Sequence, residues 1–214
     1  MKTRSVIVKA PLDVVLAEEE KDEKSLKAQE CLIESLVSMI SPGTELSRVY
    51  GLKKGAFYPM RPGYCTVGRI LKKGSEVKNV EIGDRVLFLG PHASHHIVSP
   101  SLPEGEFLYK LHPELSSKEG AMIMMAWIAM NGILSVDVKL FDTVAIFGMG
   151  NLGLFLAIYY QSMGVRVIGI DPVKHRCEVA RSIGIHELID CAPEDQAAAV
   201  MALTNKKGAD IVID

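Results

Sequence analysis

The feature that most constrains this chain is a glycine-rich motif, Gly148-x-Gly150-x-x-Gly153, between two segments of different pattern. The apolar, β-branched stretch Thr143–Phe147 precedes it and predicts a buried strand, and the following stretch, Leu152–Met163, has helical composition. In this strand–turn–helix context the motif is typical of a dinucleotide-binding turn. Gly148 permits a tight turn, Gly150 leaves room for a pyrophosphate, and Gly153 lets the helix lie close to the strand.

The start of this helix is the predicted phosphate site. The amides of its first turn, which includes Asn151 and Leu152, have no partner within the helix and carry a partial positive charge. A turn that binds no ligand and a site for S-adenosylmethionine are the other interpretations of the motif.

The next predicted strand, Val165–Ile170, ends in Asp171, which follows Gly153 by 18 residues. A carboxylate at this position can accept both ribose hydroxyls of the adenosine and repels a 2′-phosphate, so NAD(H) is predicted rather than NADP(H). Arg176 lies five residues further on and is a second candidate for contacting the adenine ribose, which leaves NADP(H) open.

The second half of the chain alternates strands and helices around the motif. Its predicted strands are Thr143–Phe147, Val165–Ile170, Glu187–Ile189 and Ala209–Ile213, and its predicted helices are Leu152–Met163, His175–Ile183 and Pro193–Leu203. Continuous apolar strands that alternate with helices indicate a parallel sheet covered on both faces.

The first half of the chain has a different pattern. Short strand-like runs are separated by glycine, proline and charged residues, which predicts a small β-barrel or sandwich with no convincing helix. These runs are Ser5–Ala10, Cys31–Ile40, Cys65–Leu71, Arg85–Leu89 and His95–Val98. After them, Ser116 and Glu119 have the spacing of a helix capping box, and the apolar run Ala121–Met130 predicts a buried helix in which Trp127 is a packing residue.

Composition excludes several classes of protein. The hydrophobic fraction of 48% predicts a packed core, and the net charge of −2 without a basic run argues against nucleic acid or an anionic membrane as partner. The longest apolar run has 10 residues, too few for a bilayer span, and the N-terminus lacks a signal-peptide core. The four cysteines form no C-x-x-C pair, so they are expected to be reduced thiols in a soluble, cytoplasmic protein.

Four short segments, in this order, resemble the medium-chain dehydrogenase/reductase superfamily of alcohol dehydrogenase-like enzymes. They are Ile40–Glu45, Arg61–Cys65, Gly83–Val86 and Ile168–Pro172. The resemblance implies a β-rich, GroES-like catalytic domain, expected here at residues 1–117, followed by a Rossmann domain at 118–214. It also implies hydride transfer between a nicotinamide and a small-molecule substrate.

The resemblance does not extend to the zinc ligands of the family. The ligand positions fall on Pro42, Tyr64 and a residue near Ile123, and the acidic neighbour falls on Cys65. Proline and isoleucine cannot bind zinc and tyrosine is a poor ligand, so no metal is predicted. Together with Gly90–Ala93, this pattern resembles a zinc-lacking branch that includes relatives of bacteriochlorophyll-pathway dehydrogenases.

A different metal site would need the histidines that follow Pro91. Since His95 and His96 are adjacent, they would point to opposite faces of a strand, which argues against a site built from them and His92. His92 is instead a candidate acid/base or substrate contact. By resemblance, Thr44 and Tyr64 are candidates to donate a hydrogen bond to the substrate oxygen as negative charge develops there.

The expected function is an NAD(H)-dependent, zinc-independent oxidoreductase that acts on an alcohol, polyol or ketone. The alternatives are an NADPH-dependent quinone or enoyl reductase of the same superfamily and a non-catalytic fragment. Asp214 lies within the predicted fourth strand of a sheet that has six strands in complete Rossmann domains, so the chain is expected to be truncated at its C-terminus. The full-length protein is a possible homodimer.

Overall fold

A computed structural model gives the fold, and it describes residues 1–20, 26–100 and 107–214. The described chain divides into two compact units, Met1–Ile123 and Met124–Asp214. This division lies within one helix, and the domain boundary expected between residues 117 and 118 stays a prediction.

The first unit consists mainly of antiparallel strands, as expected. Its described strands are β1 (Lys2–Ala10), β2 (Asp13–Glu20), β3 (Cys31–Ser38), β4 (Thr66–Lys73), β5 (Arg85–Phe88), β6 (His95–Val98) and β7 (Leu108–Lys110). β1 pairs with β2 in one sheet, and the other five form a second sheet in the order β6-β3-β4-β5-β7. Ile33, Ile70, Val86 and Phe88 are buried in the core beside this sheet.

Four elements of the first unit were not predicted. β2 ends in three glutamates, which are rare in strands, and it forms because it pairs with β1 along almost its whole length. β7 has only three residues, and it pairs with β5. A π-helical turn, Pro42–Leu46, leads into the short helix α1 (Ser47–Val49), a segment too short to show helical periodicity in the sequence.

Helix α2 (Ser117–Leu134) begins with the capping box that the sequence predicts. The Glu119 N–H donates to Oγ of Ser116 at 3.2 Å, and the Ser116 N–H donates to a carboxylate oxygen of Glu119 at 2.7 Å. The expectation of a buried helix is only partly met, because Trp127 is 56% exposed. The apolar run has no helical period, so the sequence alone did not distinguish the buried face from the exposed one.

The second unit contains the parallel sheet that the sequence predicts. Its described elements are β8 (Thr143–Phe147), α3 (Asn151–Ser162), β9 (Arg166–Ile170), α4 (Lys174–Ser182), β10 (Glu187–Ile189), α5 (Pro193–Leu203) and β11 (Ile211–Ile213). The strand order is β10-β9-β8-β11, and every pair is parallel. The carboxyl ends of β8 and β9 therefore meet at one edge, where the glycine-rich loop lies.

Candidate functional site

The glycine-rich loop joins β8 to α3. Gly148 has a φ of +93°, a left-handed conformation that favours glycine, and its N–H donates to the carbonyl oxygen of Ile170 at 2.7 Å. Gly150 immediately precedes α3, and no side chain in the described ranges caps this helix end. The chain thus turns tightly into α3, and the first amides of the helix remain available to another partner.

Two glycines of the motif differ in what a side chain would meet. A Cβ on Gly153 would lie 1.8 Å from the carbonyl oxygen of Gly148, so the fold itself requires glycine at 153. A Cβ on Gly150 would meet no atom of the described residues within 4 Å, and φ at this residue is −80°. Since neither packing nor backbone conformation requires glycine at 150, the space beside it is open to a ligand such as a pyrophosphate.

The N-terminus of α3 meets the requirements of an anion-binding site. Asn151 and Leu152 form the start of this 12-residue helix and are exposed. Unpaired amides and the helix dipole favour a negatively charged group at such a terminus. The local fold thus brings together five of the predicted cofactor-binding residues: Gly148, Gly150, Asn151, Leu152 and Gly153.

Asp171 directly follows β9 and lies against the same loop. Its side chain is 1% exposed, and its Oδ2 accepts the N–H of Met149 at 2.8 Å and Nη1 of Arg176 at 3.2 Å. Its Oδ1 accepts the N–H of Val173 at 2.8 Å. A carboxylate has about four lone-pair positions, so these three donors leave one position for a ribose hydroxyl, where the sequence predicts contacts to two.

The charge of Asp171 is stabilised within the fold. Burial raises the pKa of this carboxyl, but the amides of Val173 and Met149 and the guanidinium of Arg176 lower it by more, so the pKa lies below its usual range. Asp171 is therefore ionised at neutral pH. Arg176 balances this charge while its own side chain remains 55% exposed.

A second hydrogen-bonded cluster lies in the first unit, around His92. Nε2 of His92 is 2.8 Å from Oε2 of Glu45, and Nδ1 is 2.7 Å from Oγ of Ser38. The side chain of His92 is 12% exposed and that of Glu45 is 5% exposed. His92 is thus held on both sides of its ring, and it is not a solvated loop histidine.

Glu45 organises this cluster. Its carboxylate accepts the N–H of Ser41 at 2.7 Å and the N–H of Gly63, in addition to its contact with His92. Burial raises the pKa of Glu45, but the hydrogen bond and charge of His92 and the two backbone amides lower it by more. Because an ionised carboxylate only accepts hydrogen bonds, we assign a proton to Nε2 of His92.

Thr44 and Tyr64, the two hydroxyl residues predicted to be catalytic, are each adjacent in sequence to a residue of this cluster. Thr44 precedes Glu45 and is exposed, whereas Tyr64 follows Gly63 and is half-buried. Neither Glu45 nor Ser38 was predicted from the sequence as a site residue. The acidic residue of the Gly-Thr-Glu stretch was a signal for Glu45, but nothing in the local sequence marks Ser38.

The residues at the family's zinc position do not fit a catalytic zinc ion. Pro42 has no donor atom, the buried thiol of Cys65 donates to the carbonyl oxygen of Ala121 at 2.9 Å, and Glu45 and His92 bind each other. Across residues 1–20, 26–100 and 107–214, no group of three His, Cys, Asp or Glu side chains is placed to hold a metal ion. Over the same residues, no helix is long and apolar enough to cross a membrane.

Comparisons with known proteins identify similar dehydrogenases and oxidoreductases. A family model described as zinc-binding dehydrogenase matches residues 151–214. D-guloside 3-dehydrogenase of Escherichia coli is 30% identical over 166 residues, which are 77% of this chain and 46% of that protein. Quinone oxidoreductase of Pseudomonas aeruginosa is 27% identical over 171 residues, which cover 77% of this chain and 51% of that protein.

A solved structure has the same fold. A mycobacterial protein in complex with NADPH matches with a TM-score of 0.77 at 22% identity, over 98% of this chain and 66% of that chain. This chain spans about half the length of the curated relatives named above. Fold, motif order and relatives agree: the chain belongs to the medium-chain dehydrogenase/reductase superfamily, a class of oxidoreductases.

Proposed function

We propose that this protein is an NAD(H)-dependent, zinc-independent oxidoreductase that transfers a hydride between the nicotinamide and an alcohol, polyol or ketone. The observation that carries the proposal is the open space beside Gly150 at the uncapped start of α3. The first amides of α3 would hold the phosphates of the cofactor, and Asp171 would accept a ribose hydroxyl. The chemistry that the nicotinamide would supply is acceptance or donation of a hydride.

In this proposal, the first unit provides the polar groups for the substrate oxygen. Thr44 and Tyr64 donate hydrogen bonds to it as negative charge develops, and His92 serves as the acid/base group. Glu45 fixes the orientation and tautomer of the His92 ring, since Nε2 donates to its carboxylate. In the neutral ring, Nδ1 then accepts a hydrogen bond from the hydroxyl of Ser38.

The experiment that tests the cofactor site compares Gly150→Val with Gly153→Ala in this chain. A side chain at 150 intrudes on the phosphates, so we expect NADH binding to weaken about 10- to 100-fold with little change in thermal stability. Alanine at 153 collides with the carbonyl oxygen of Gly148, so it should lower the melting temperature. Titration of NADH beside thermal melting measures both effects. Undiminished NADH binding by Gly150→Val would show that the loop is only a tight turn.

A second candidate function is an NADPH-dependent quinone or enoyl reductase. Asp171 is almost fully buried and its charge is already balanced, whereas the adjacent Arg176 is half-exposed and able to contact a 2′-phosphate. The matching mycobacterial structure contains NADPH, so the shared fold does not by itself favour either cofactor.

The choice between the two cofactors is tested with Asp171→Asn and Arg176→Gln. We expect wild type to bind NADH more tightly than NADPH, because the carboxylate accepts a ribose hydroxyl and repels a 2′-phosphate. Asp171→Asn should narrow this preference while keeping the size of the side chain. Both cofactors are titrated into all three proteins. Equal affinities in wild type contradict the NAD(H) proposal, and loss of NADPH binding in Arg176→Gln favours the second candidate.

The remaining expectations concern partners and the extent of the chain. A small molecule is the proposed substrate, the full-length protein is a possible homodimer, and neither nucleic acid nor membrane is a proposed partner. A cytoplasmic location stays a prediction. An assay of hydride transfer by the 214-residue chain, with alcohols and ketones as substrates, tests the alternative of a non-catalytic fragment.

A further inference from the structure

A cleft of about 480 Å³ in the first unit has not been assigned a role. It lies in the segment between α1 and Gly63, and the residues that line it are Arg48, Lys53, Gly55, Ala56, Phe57, Pro59, Met60 and Arg61. Thr44 lies four residues before this lining and Tyr64 three residues after it. The cleft is therefore built by the same stretch of chain that carries both proposed substrate contacts.

The cleft is positively charged. Three of its lining residues, Arg48, Lys53 and Arg61, are cations, and none is acidic. Arg61 forms an ion pair with Glu19, which does not line the cleft. Among the described residues, no carboxylate forms an ion pair with Arg48 or Lys53. An anionic group in the cleft would thus find two cations whose charges are not already balanced.

The cleft also presents an aromatic surface. Phe57 is 80% exposed, which is unusual for so large an apolar side chain, and Pro59 and Met60 lie beside it in the lining. An exposed aromatic ring that lines the same cleft as arginine and lysine offers a stacking surface to a planar ligand. This combination favours a ligand with an apolar, planar body and an anionic group.

The backbone around the cleft is anchored on both sides. Met60 exchanges two backbone hydrogen bonds with Val8, each 2.9 Å long. The hydroxyl of Tyr58 donates to the carbonyl oxygen of Arg48, and Nη1 of Arg61 donates to Oγ of Ser5 at 2.9 Å. These contacts fix the walls before a ligand arrives, which reduces the entropy lost on binding.

We propose that this cleft binds a small aromatic carboxylate and that it recognises the anionic end of the substrate. The second part rests on the proposed oxidoreductase function, whereas the binding itself does not depend on it. The carboxylate lies between Arg48 and Lys53, and the planar body lies against Phe57.

The test measures binding of benzoate and of its neutral analogue benzamide to the 214-residue chain by NMR titration without cofactor. We expect benzamide to bind at least about tenfold more weakly, because it lacks the charge that the two cations attract. Arg48→Gln and Lys53→Gln should each weaken benzoate binding about fivefold, a modest effect since both side chains are accessible to solvent. Phe57→Ala should weaken binding of both probes.

The matched control is Lys78→Gln, which removes one exposed positive charge that does not line the cleft. We expect it to leave benzoate binding within about twofold of wild type. Equal binding of benzoate and benzamide, or equal effects of Lys78→Gln and Arg48→Gln, would overturn the proposal. Gly150→Val should weaken NADH binding and leave benzoate binding unchanged, so failure of the cleft proposal and failure of the cofactor-site proposal give different results.

Discussion

Glu45 is an ionised side chain with 5% exposure, and donors from three separate segments converge on it. Ser41 belongs to its own loop, Gly63 precedes β4, and His92 follows β5. The desolvation cost of this buried carboxylate is offset by these partners, and removal of its charge weakens every hydrogen bond that it accepts. The positions of Thr44 and Tyr64 therefore depend on the ionisation of a residue that we do not propose to react.

The first prediction concerns Glu45→Gln. Because folding lowers the pKa of Glu45, the ionised carboxylate stabilises the native state above the ordinary glutamate pKa of about 4.3, and this contribution is lost as the pH falls through the lower pKa of the folded state. We expect the variant to be less stable than wild type by about 2 kcal/mol at pH 7, and the difference to shrink below about pH 4.

Hydrogen exchange of the amides in β3 and β4 at both pH values measures this difference within the first unit. Glu34→Gln is the matched control, because Glu34 is an exposed glutamate on β3. A stability difference that persists unchanged at acid pH, or that also appears in the control, would contradict the assigned role of Glu45.

For single residues, the sequence predicts a site formed by neighbours along the chain better than a site whose residues are far apart in sequence. The glycine-rich loop occupies six consecutive residues, so its spacing and its strand–helix context are visible together. The cluster around His92 joins residues 47 and 54 positions apart. It forms only because the sheet, in which β4 separates β3 from β5, brings the ends of these strands and the loops beyond them to one place. No local pattern indicates such a pairing, so His92 was predicted without either of its partners.

At the scale of single elements, the predicted and observed structures agree best in the second unit. β8, β10 and α5 have the predicted bounds, and α3 is shifted by one residue from its predicted bounds. These elements have buried apolar strands and clear helix ends, so local preference and tertiary packing agree. In the first unit β2 was missed, because its pairing with β1 outweighs the low strand propensity of its glutamates.

A prediction at this scale concerns the start of α2. Ser116→Ala removes the hydroxyl that accepts the Glu119 N–H, so we expect a loss of about 1 kcal/mol in the free energy of unfolding. Urea denaturation measures the change. Ser117→Ala is the control, because it lies one residue further on and leaves both capping bonds in place. Equal stabilities of the two variants would show that the hydroxyl of Ser116 does not stabilise the start of α2.

At the scale of the whole molecule, the order of a β-rich unit and a parallel α/β unit could be predicted from the sequence, because each half has its own hydrophobic period. The π-helical turn that carries Thr44 could not, since five residues are too few to show a period. The cleft beside Phe57 could not be predicted either, because it results from the way in which β1 anchors the segment around Met60.

The prediction for the whole molecule is that the purified protein contains no stoichiometric zinc. Pro42 and Cys65 offer no available ligand at the family's zinc position, and Glu45 and His92 are bound to each other. Elemental analysis after dialysis without chelator should find no zinc, and a chelator should leave the melting temperature unchanged. A content of about one zinc per chain would contradict this and direct attention to His92, His95, His96 and Cys65.

The different surroundings of Gly150 and Gly153 have a consequence for the evolution of the family. Position 153 is constrained by the carbonyl oxygen of Gly148 in every descendant that keeps this fold, whether or not it binds a cofactor. Position 150 is constrained only by what lies outside the chain, so a lineage that stops binding dinucleotides is free to replace this glycine. Relatives that keep glycine at position 153 but have lost it at position 150 would thus mark lineages that retained the fold after they stopped binding the cofactor.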